Sequence, residues 1–199
     1  MSAVLETRSM MAPSPPFAAV IDPPITADEL LEMRNGERYE LVDGELVERD
    51  MGALSGWVGG EVFGRIREFA RQYGGWAFGD GVGYRCYADD PERVRKPDAS
   101  FIRADRLSNL PDGYITIAPD LAVEIVSPND IYYEVEAKVD EYLSAGVRLV
   151  WVVNPVNKSV RVFQPGRIVD EFGPDGELTG GGVIPGFTCS VRSLFPVKL

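Results

Sequence analysis

Histidine is missing from all 199 residues of the chain. Its absence removes Ser-His-Asp and Cys-His hydrolases, HExxH metalloproteases, histidine-metal nucleases and ordinary zinc catalysis. Acid–base or metal chemistry here falls to Asp, Glu, Lys or Tyr. Carboxylates as the only charged ligands favour hard ions such as Mg²⁺ or Mn²⁺. Cysteine is nearly missing too: Cys86 and Cys189 lie far apart and form no CxxC or other zinc pattern. With no export signal, both read as reduced, partly buried thiols of a cytoplasmic protein. No apolar run approaches the ~20 residues of a membrane helix. GxxxxGK[ST], GxSxG and GxGxxG are all absent, and Gly79-Asp-Gly-Val-Gly83 has the wrong spacing for the last. Positive charge is also short. A net charge of −11 counts against broad, non-specific nucleic-acid binding.

The chain does hold 45% apolar residues, enough for one domain with a real core. Met1 to Pro24 carries five prolines and no long apolar stretch, and reads as a poorly ordered arm. Residues 25–199 read as a single domain. Thr26-Ala-Asp-Glu29 is a capping box opening a short helix. Tyr39–Val42 and Glu45–Glu48 flank Asp43-Gly44, a hairpin signal. Leu54, Val58, Val62, Ile66, Phe69 and Tyr73 recur at helical steps and end at Gly74-Gly75. Trp76–Phe78, Val82–Tyr87, Asp98–Ile102 and Asp120–Val126 read as strands. Ser127-Pro-Asn-Asp130 supplies turn and cap chemistry for a helix over 131–145. Arg148–Val153 is the next strand, with a peripheral meander over 159–172 and a short helix around 191–195. The 120–153 unit is strand–helix–strand, long enough for a right-handed crossover. The predicted class is α/β, a mixed central sheet flanked by helices with an added C-terminal β meander.

Inside this frame one residue is out of place. Glu124 interrupts Asp120-Leu-Ala-Val-Glu-Ile-Val126, a run otherwise fit for a strand buried on both faces. A lone carboxylate there costs several kcal/mol unless an ion, a cation or a proton compensates it. Alternation puts Ala122, Glu124 and Val126 on one face. Asp98 follows Pro97, a residue suited to a strand start, so its carboxylate stands at a sheet rim. Lys138 sits three residues after Val135 and four before Tyr142, which turns it toward the sheet that carries Glu124. Glu40, in the first hairpin strand, is a fourth candidate. Two carboxylates and a lysine on consecutive buried elements are the parts of a metal-dependent phosphodiesterase. Each residue also has a plainer reading: a structural ion pair for Glu124, a turn dipeptide for Asp98, a snorkelling Lys138 and an exposed Glu40. Arg93, Arg95, Lys96, Arg103 and Arg106 gather around Asp98, either as a local basic site or as solvated loop residues. Tyr132, Tyr133, Trp57 and Trp151 are suited to base stacking, though core packing is the stronger expectation.

A set of ordered motifs goes further. Arg38-Tyr-Glu-Leu-Val-Asp-Gly44, Val94-Arg-Lys-Pro-Asp98, Ala118-Pro-Asp-Leu-Ala-Val-Glu-Ile-Val-Ser-Pro128, Lys138 with Tyr142, Ala145-Gly146 and Val150-Trp-Val-Val-Asn-Pro155 follow one another between about Thr26 and Phe195. Together they resemble the Uma-type restriction endonuclease family, a branch of the PD-(D/E)XK nuclease superfamily. The resemblance implies a restriction-endonuclease-like core, divalent-metal-dependent phosphodiester hydrolysis of nucleic acid, and a homodimer. It would assign Asp98 and Glu124 as metal ligands, helped by the carbonyl of Ile125 or Val126. The superfamily lysine lies two residues after the second acid, where this chain has Val126. In this branch Lys138 on the following helix would take over, to orient the attacking water or offset phosphate charge, and Glu40 would match the acid of the first motif and complete the ligand set. Family members often carry a histidine after the first hairpin, where Ser55-Gly-Trp57 stands here. Two other classes remain open: a catalytically silent interaction or regulatory domain with Glu124 and Lys138 as a buried ion pair, and a two-carboxylate glycosidase.

Overall fold

The structure, a computed structural model, describes residues 24–49, 52–128, 130–166 and 168–197. The Pro-rich arm expected over 1–24 lies, but for Pro24, outside them. The chain opens with α1 (Ala27–Glu32), and the capping box is formed as the sequence suggests. Thr26 Oγ1 accepts the Glu29 N–H while the Glu29 carboxylate accepts the Thr26 N–H. β1 (Tyr39–Val42) and β2 (Glu45–Glu48) pair antiparallel around Asp43-Gly44. Both turn residues have positive φ (51° and 80°), the backbone that a two-residue hairpin demands and that a glycine adopts without strain.

α2 (Ala53–Tyr73) ends at Gly74, and its buried side is Ser55, Val58, Gly59, Val62, Ile66 and Ala70. That face is rotated from the expected stripe: Leu54 and Tyr73 are exposed. After it come β3 (Trp76–Phe78), β4 (Ala99–Ile102), β5 (Leu121–Ile125), α3 (Tyr132–Ser144), β6 (Leu149–Asn154), β7 (Ser159–Gln164) and β8 (Ile168–Phe172). They form one six-stranded mixed sheet in the order β3-β4-β5-β6-β7-β8. Only β5–β6 is parallel, and α3 is its crossover. The C-terminal meander is thus β6–β7–β8, continuous with the central sheet.

Sheet alternation divides the core in two. Leu121, Val123 and Ile125 pack with α2 and with Leu178, Ile184, Phe187, Val191 and Leu194 from the C-terminal segment. Ala122, Val150 and Val152 pack against Val135, Val139 and Tyr142 of α3. Each such aliphatic side chain, fully buried, stabilises the fold by roughly 1.5–3 kcal/mol. A further hairpin, β9 (Glu177–Thr179) with β10 (Thr188–Ser190), and a 3₁₀ turn at Val191–Leu194 close the α2 face.

Two expectations need correction. Val82–Tyr87 is extended but is no strand: Tyr84 bridges Arg95 on one side and Ile115 on the other, one residue each, so no ladder develops. Asp130 does not cap α3, whose N-cap is Ile131 without a side-chain bond. Its carboxylate instead accepts the Ser127 N–H at 2.7 Å and closes the turn after β5.

Asp120, fully buried at the head of β5, accepts the Arg103 N–H and pairs with Arg106 and Arg148. Burial alone would raise its carboxyl; the Arg103 N–H and the Arg148 and Arg106 guanidinium groups outweigh burial and hold it below the ordinary value of 3.8. A depressed folded value means that the stabilisation is complete above the unfolded value and lost as pH falls through the lower folded one. Asp120→Asn should therefore cost about 2–4 kcal/mol in urea melts at neutral pH, with the gap from wild type narrowing below about pH 4.

Candidate active site

The register of the sheet decides where the acids meet. β4 and β5 pair with Ala99 opposite Val123, and the Asp98 N–H still donates to the Val123 carbonyl at 2.9 Å. One residue further in that register, Asp98 stands beside Glu124. Asp98 Oδ2 accepts the Ile125 N–H at 2.6 Å, and Oδ1 accepts Arg49 Nη2 at 3.0 Å. Burial and the neighbouring Glu124 charge push the Asp98 carboxyl well above its ordinary range, against the opposing pull of the Ile125 N–H, Arg49 and Lys138.

Glu124 faces α3, as strand alternation requires. The Tyr142 hydroxyl donates to its Oε1 at 2.6 Å and Lys138 Nζ lies 3.2 Å from Oε2. Tyr142 and Lys138 are four residues apart, one helical turn, so one face of α3 delivers both. Lys138 Nζ is also 3.2 Å from Glu40 Oε2. Burial alone would lower the Lys138 ammonium, but Glu124 and Glu40 more than offset it and raise it above its ordinary value.

Glu40 is wholly buried rather than an exposed strand residue. It accepts the Lys96 N–H at 2.7 Å and Arg95 Nη1 at 3.0 Å. Burial would raise its carboxyl; Lys138, Arg95 and the Lys96 N–H together bring it down to about 2. Arg95 in turn grips Glu141 of α3 through two bonds, 2.6 and 2.7 Å. The hairpin, the sheet and α3 are thereby tied through one row of charges.

Three of the five residues of the basic cluster are internal. Arg93, Arg95 and Lys96 are buried, Arg93 against Asp89, Asp43 and Glu141, and Lys96 donating to the Gly36 carbonyl. Arg103 and Arg106 serve Asp120 at the far end of β5. Desolvation makes Arg93, Arg95 and Lys96 depend on acids or carbonyls for partners, so these three are not solvated loop residues, whereas Arg103 and Arg106 remain partly exposed. The cation beside Asp98 is Arg49, which the sequence reading missed. It follows β2 directly and also pairs with Asp80; its place at the end of the strand that pairs with Glu40's strand was its signal in the sequence. Trp151 is core, as expected, whereas Trp57, Tyr132 and Tyr133 are exposed.

Asp98, Glu124 and Lys138 line an open cleft of about 270 Å³ together with Glu40, Arg49 and Ile125. Ser55 accepts a hydrogen bond from Ser127 at 3.0 Å. Among the described residues no group of three or more His, Cys, Asp or Glu side chains is arranged to hold a metal ion, and the Glu40 oxygens are engaged by Arg95, Lys96 and Lys138. Two buried carboxylates with main-chain oxygens, water and a phosphate nonetheless form a donor set that a hard divalent ion accepts, and the adjacency of Asp98 and Glu124 at one cleft suits one.

A mixed sheet with paired acids and a helix lysine at a crossover defines a restriction-endonuclease-like α/β protein. The crystal structure of a "putative nuclease belonging to DUF820" from Anabaena variabilis ATCC 29413 is similar, with a TM-score of 0.72 and 23% identity, covering 86% of this chain and 97% of that one. The profile of Uma2, described as "Putative restriction endonuclease", matches residues 27–192, and the chain belongs to that family. Comparison with curated proteins gave no match.

Removing Arg95 takes one guanidinium from both Glu40 and Glu141. Arg95→Met should cost about 3–5 kcal/mol in denaturant unfolding, and the double variant Arg95→Met/Glu40→Gln should recover part of the loss.

Proposed function

We propose that the chain is a divalent-metal-dependent endonuclease, using Mg²⁺ or Mn²⁺ to hydrolyse a phosphodiester of nucleic acid. The observation that carries this is the meeting of Asp98, Glu124 and Lys138 at one open cleft, supported by membership of the Uma2 family. Asp98, Glu124 and the carbonyl of Ile125 are the residues that would hold the ion. A divalent ion bound there supplies Lewis-acid stabilisation of charge developing on the phosphate and lowers the pKa of a bound water. Tyr142 fixes the carboxylate plane of Glu124 by its hydrogen bond. Ile125 N–H does the same for Asp98. Lys138, kept protonated by its two acids, orients a water or offsets phosphate charge rather than abstracting a proton. Glu40 is a positioning residue in this scheme, since its oxygens are committed to holding Lys138, Arg95 and the β1–Lys96 contact. Arg49, beside Asp98 in the same cleft, would meet a phosphate oxygen.

One observation favours the silent-domain alternative: Glu124, Lys138 and Glu40 are paired with one another and Asp98 with Arg49, so the charges already have partners. The glycosidase reading has no such support, because Lys138 and Arg49 beside the acids suit a phosphate better than a neutral sugar. The same proposal takes the cytoplasm as the chain's setting and a homodimer as its assembly, the latter to be read by sedimentation of the full chain. Cys86 and Cys189 are free thiols, in keeping with that setting. Among the described residues no helix is long and apolar enough to cross a membrane.

Calorimetric titration of Mn²⁺ into wild type, Asp98→Ala and Glu124→Ala decides between the readings. Binding by wild type and by neither variant is expected; a folded wild type that binds no ion at millimolar concentration, even with a phosphodiester present, would overturn the enzyme. Lys138→Ala should still bind Mn²⁺ but cleave roughly 10²-fold or more slowly in a screen of duplex DNA, single-stranded DNA and RNA.

A further inference from the structure

A second hollow, of about 340 Å³, adjoins the cleft and shares Val126, Asp130 and Val135 with it. It opens at the carboxyl ends of the parallel pair β5 and β6, where α3 begins its crossover. Val126, Val135 and Val152 supply its apolar surface. Tyr132 stands at one wall, 67% exposed, with the Arg161 guanidinium 5.3 Å from its ring centroid. Arg161 is held by Glu136 at 2.7 Å, so the pair forms a fixed aromatic–guanidinium platform. Asn154 closes another side. Its Oδ1 accepts the N–H groups of Val156 and Asn157 at 2.9 and 3.1 Å, leaving the amide nitrogen as the donor it offers to the hollow it lines. Asp130 and Glu171 add acceptors and negative charge.

From this arrangement we infer that the hollow receives one unpaired base of the strand whose phosphate lies at Asp98 and Glu124, so the substrate is single-stranded or locally unpaired. The inference rests on the nuclease reading for the position of the phosphate. An apolar floor with donors and acceptors at its edge suits a heteroaromatic ring whose hydrogen-bonding edge is free. In a duplex that edge is already used. The acidic rim repels a phosphate but not a neutral base, which confines the phosphate to the cations of the neighbouring cleft. A chain of net charge −11 lacks the broad basic surface that duplex binding draws on. Stacking on an exposed tyrosine is the alternative source of affinity that single strands provide and duplexes withhold.

The test is fluorescence anisotropy of the full chain with short labelled oligonucleotides, using Ca²⁺ as the cation to suppress turnover. Single-stranded DNA, single-stranded RNA and duplex DNA of the same sequence are compared. Single strands should bind at least tenfold more tightly than the duplex, and the DNA and RNA arms identify which sugar is accepted. Tyr132→Ala should weaken single-strand binding roughly tenfold while Tyr132→Phe retains it. Equal binding of single strand and duplex, or unchanged binding by a folded Tyr132→Ala, overturns the inference. Because the readout is binding, the two readings fail separately. Tyr132-dependent single-strand preference without cleavage of any substrate keeps the base site and removes the nuclease; cleavage with no effect of Tyr132→Ala does the reverse.

Discussion

A carboxylate in the middle of a buried strand is the constraint around which this molecule is arranged. A carboxylate at that position needs hydrogen bonds and positive charge from its neighbours, and α3 supplies both through Tyr142 and Lys138. That solution creates a second problem, a lysine drawn toward the core, which Glu40 answers from β1. Glu40, buried in turn, is met by Arg95 and the Lys96 N–H, and Arg95 by Glu141 back on α3. The row closes on itself, so the hairpin is held against the sheet by charge as well as by its own small apolar cluster of Leu41, Leu30 and Val94.

Asp98 lies outside this closed row. It faces Glu124 across the β4–β5 register, with Arg49, Lys138 and the Ile125 N–H to oppose its charge. Two acids thus stand side by side at an open cleft. Stored electrostatic strain of that kind is common where a cation or an anionic substrate is to be bound. Rigidity around it is provided by the dry packing of α2 on one face of β5 and α3 on the other.

Much of this was legible in the chain. The capping box at Thr26, the Asp43-Gly44 turn, the α2 and α3 periodicities and the alternation around Glu124 are local signals, and each produced the element it implied. What escaped was whatever depends on partners distant in sequence. Val82–Tyr87 has strand composition, yet its neighbours meet it at single residues. The arginines near Asp98 look like a surface patch until Glu40, Glu141 and Asp120 arrive from elsewhere to pair with them. Arg49 and Tyr132 acquire meaning only beside Asp98 and the hollow at the ends of β5 and β6.

By itself, then, the sequence determined the residue types available for chemistry and the elements that carry them, because the lack of histidine and the period of apolar positions are properties of the chain alone. The tertiary structure decided which charge meets which. Electrostatic compensation is a matter of a few ångströms between β1, β4, β5 and α3, and those distances exist only once the sheet register and the crossover have been set.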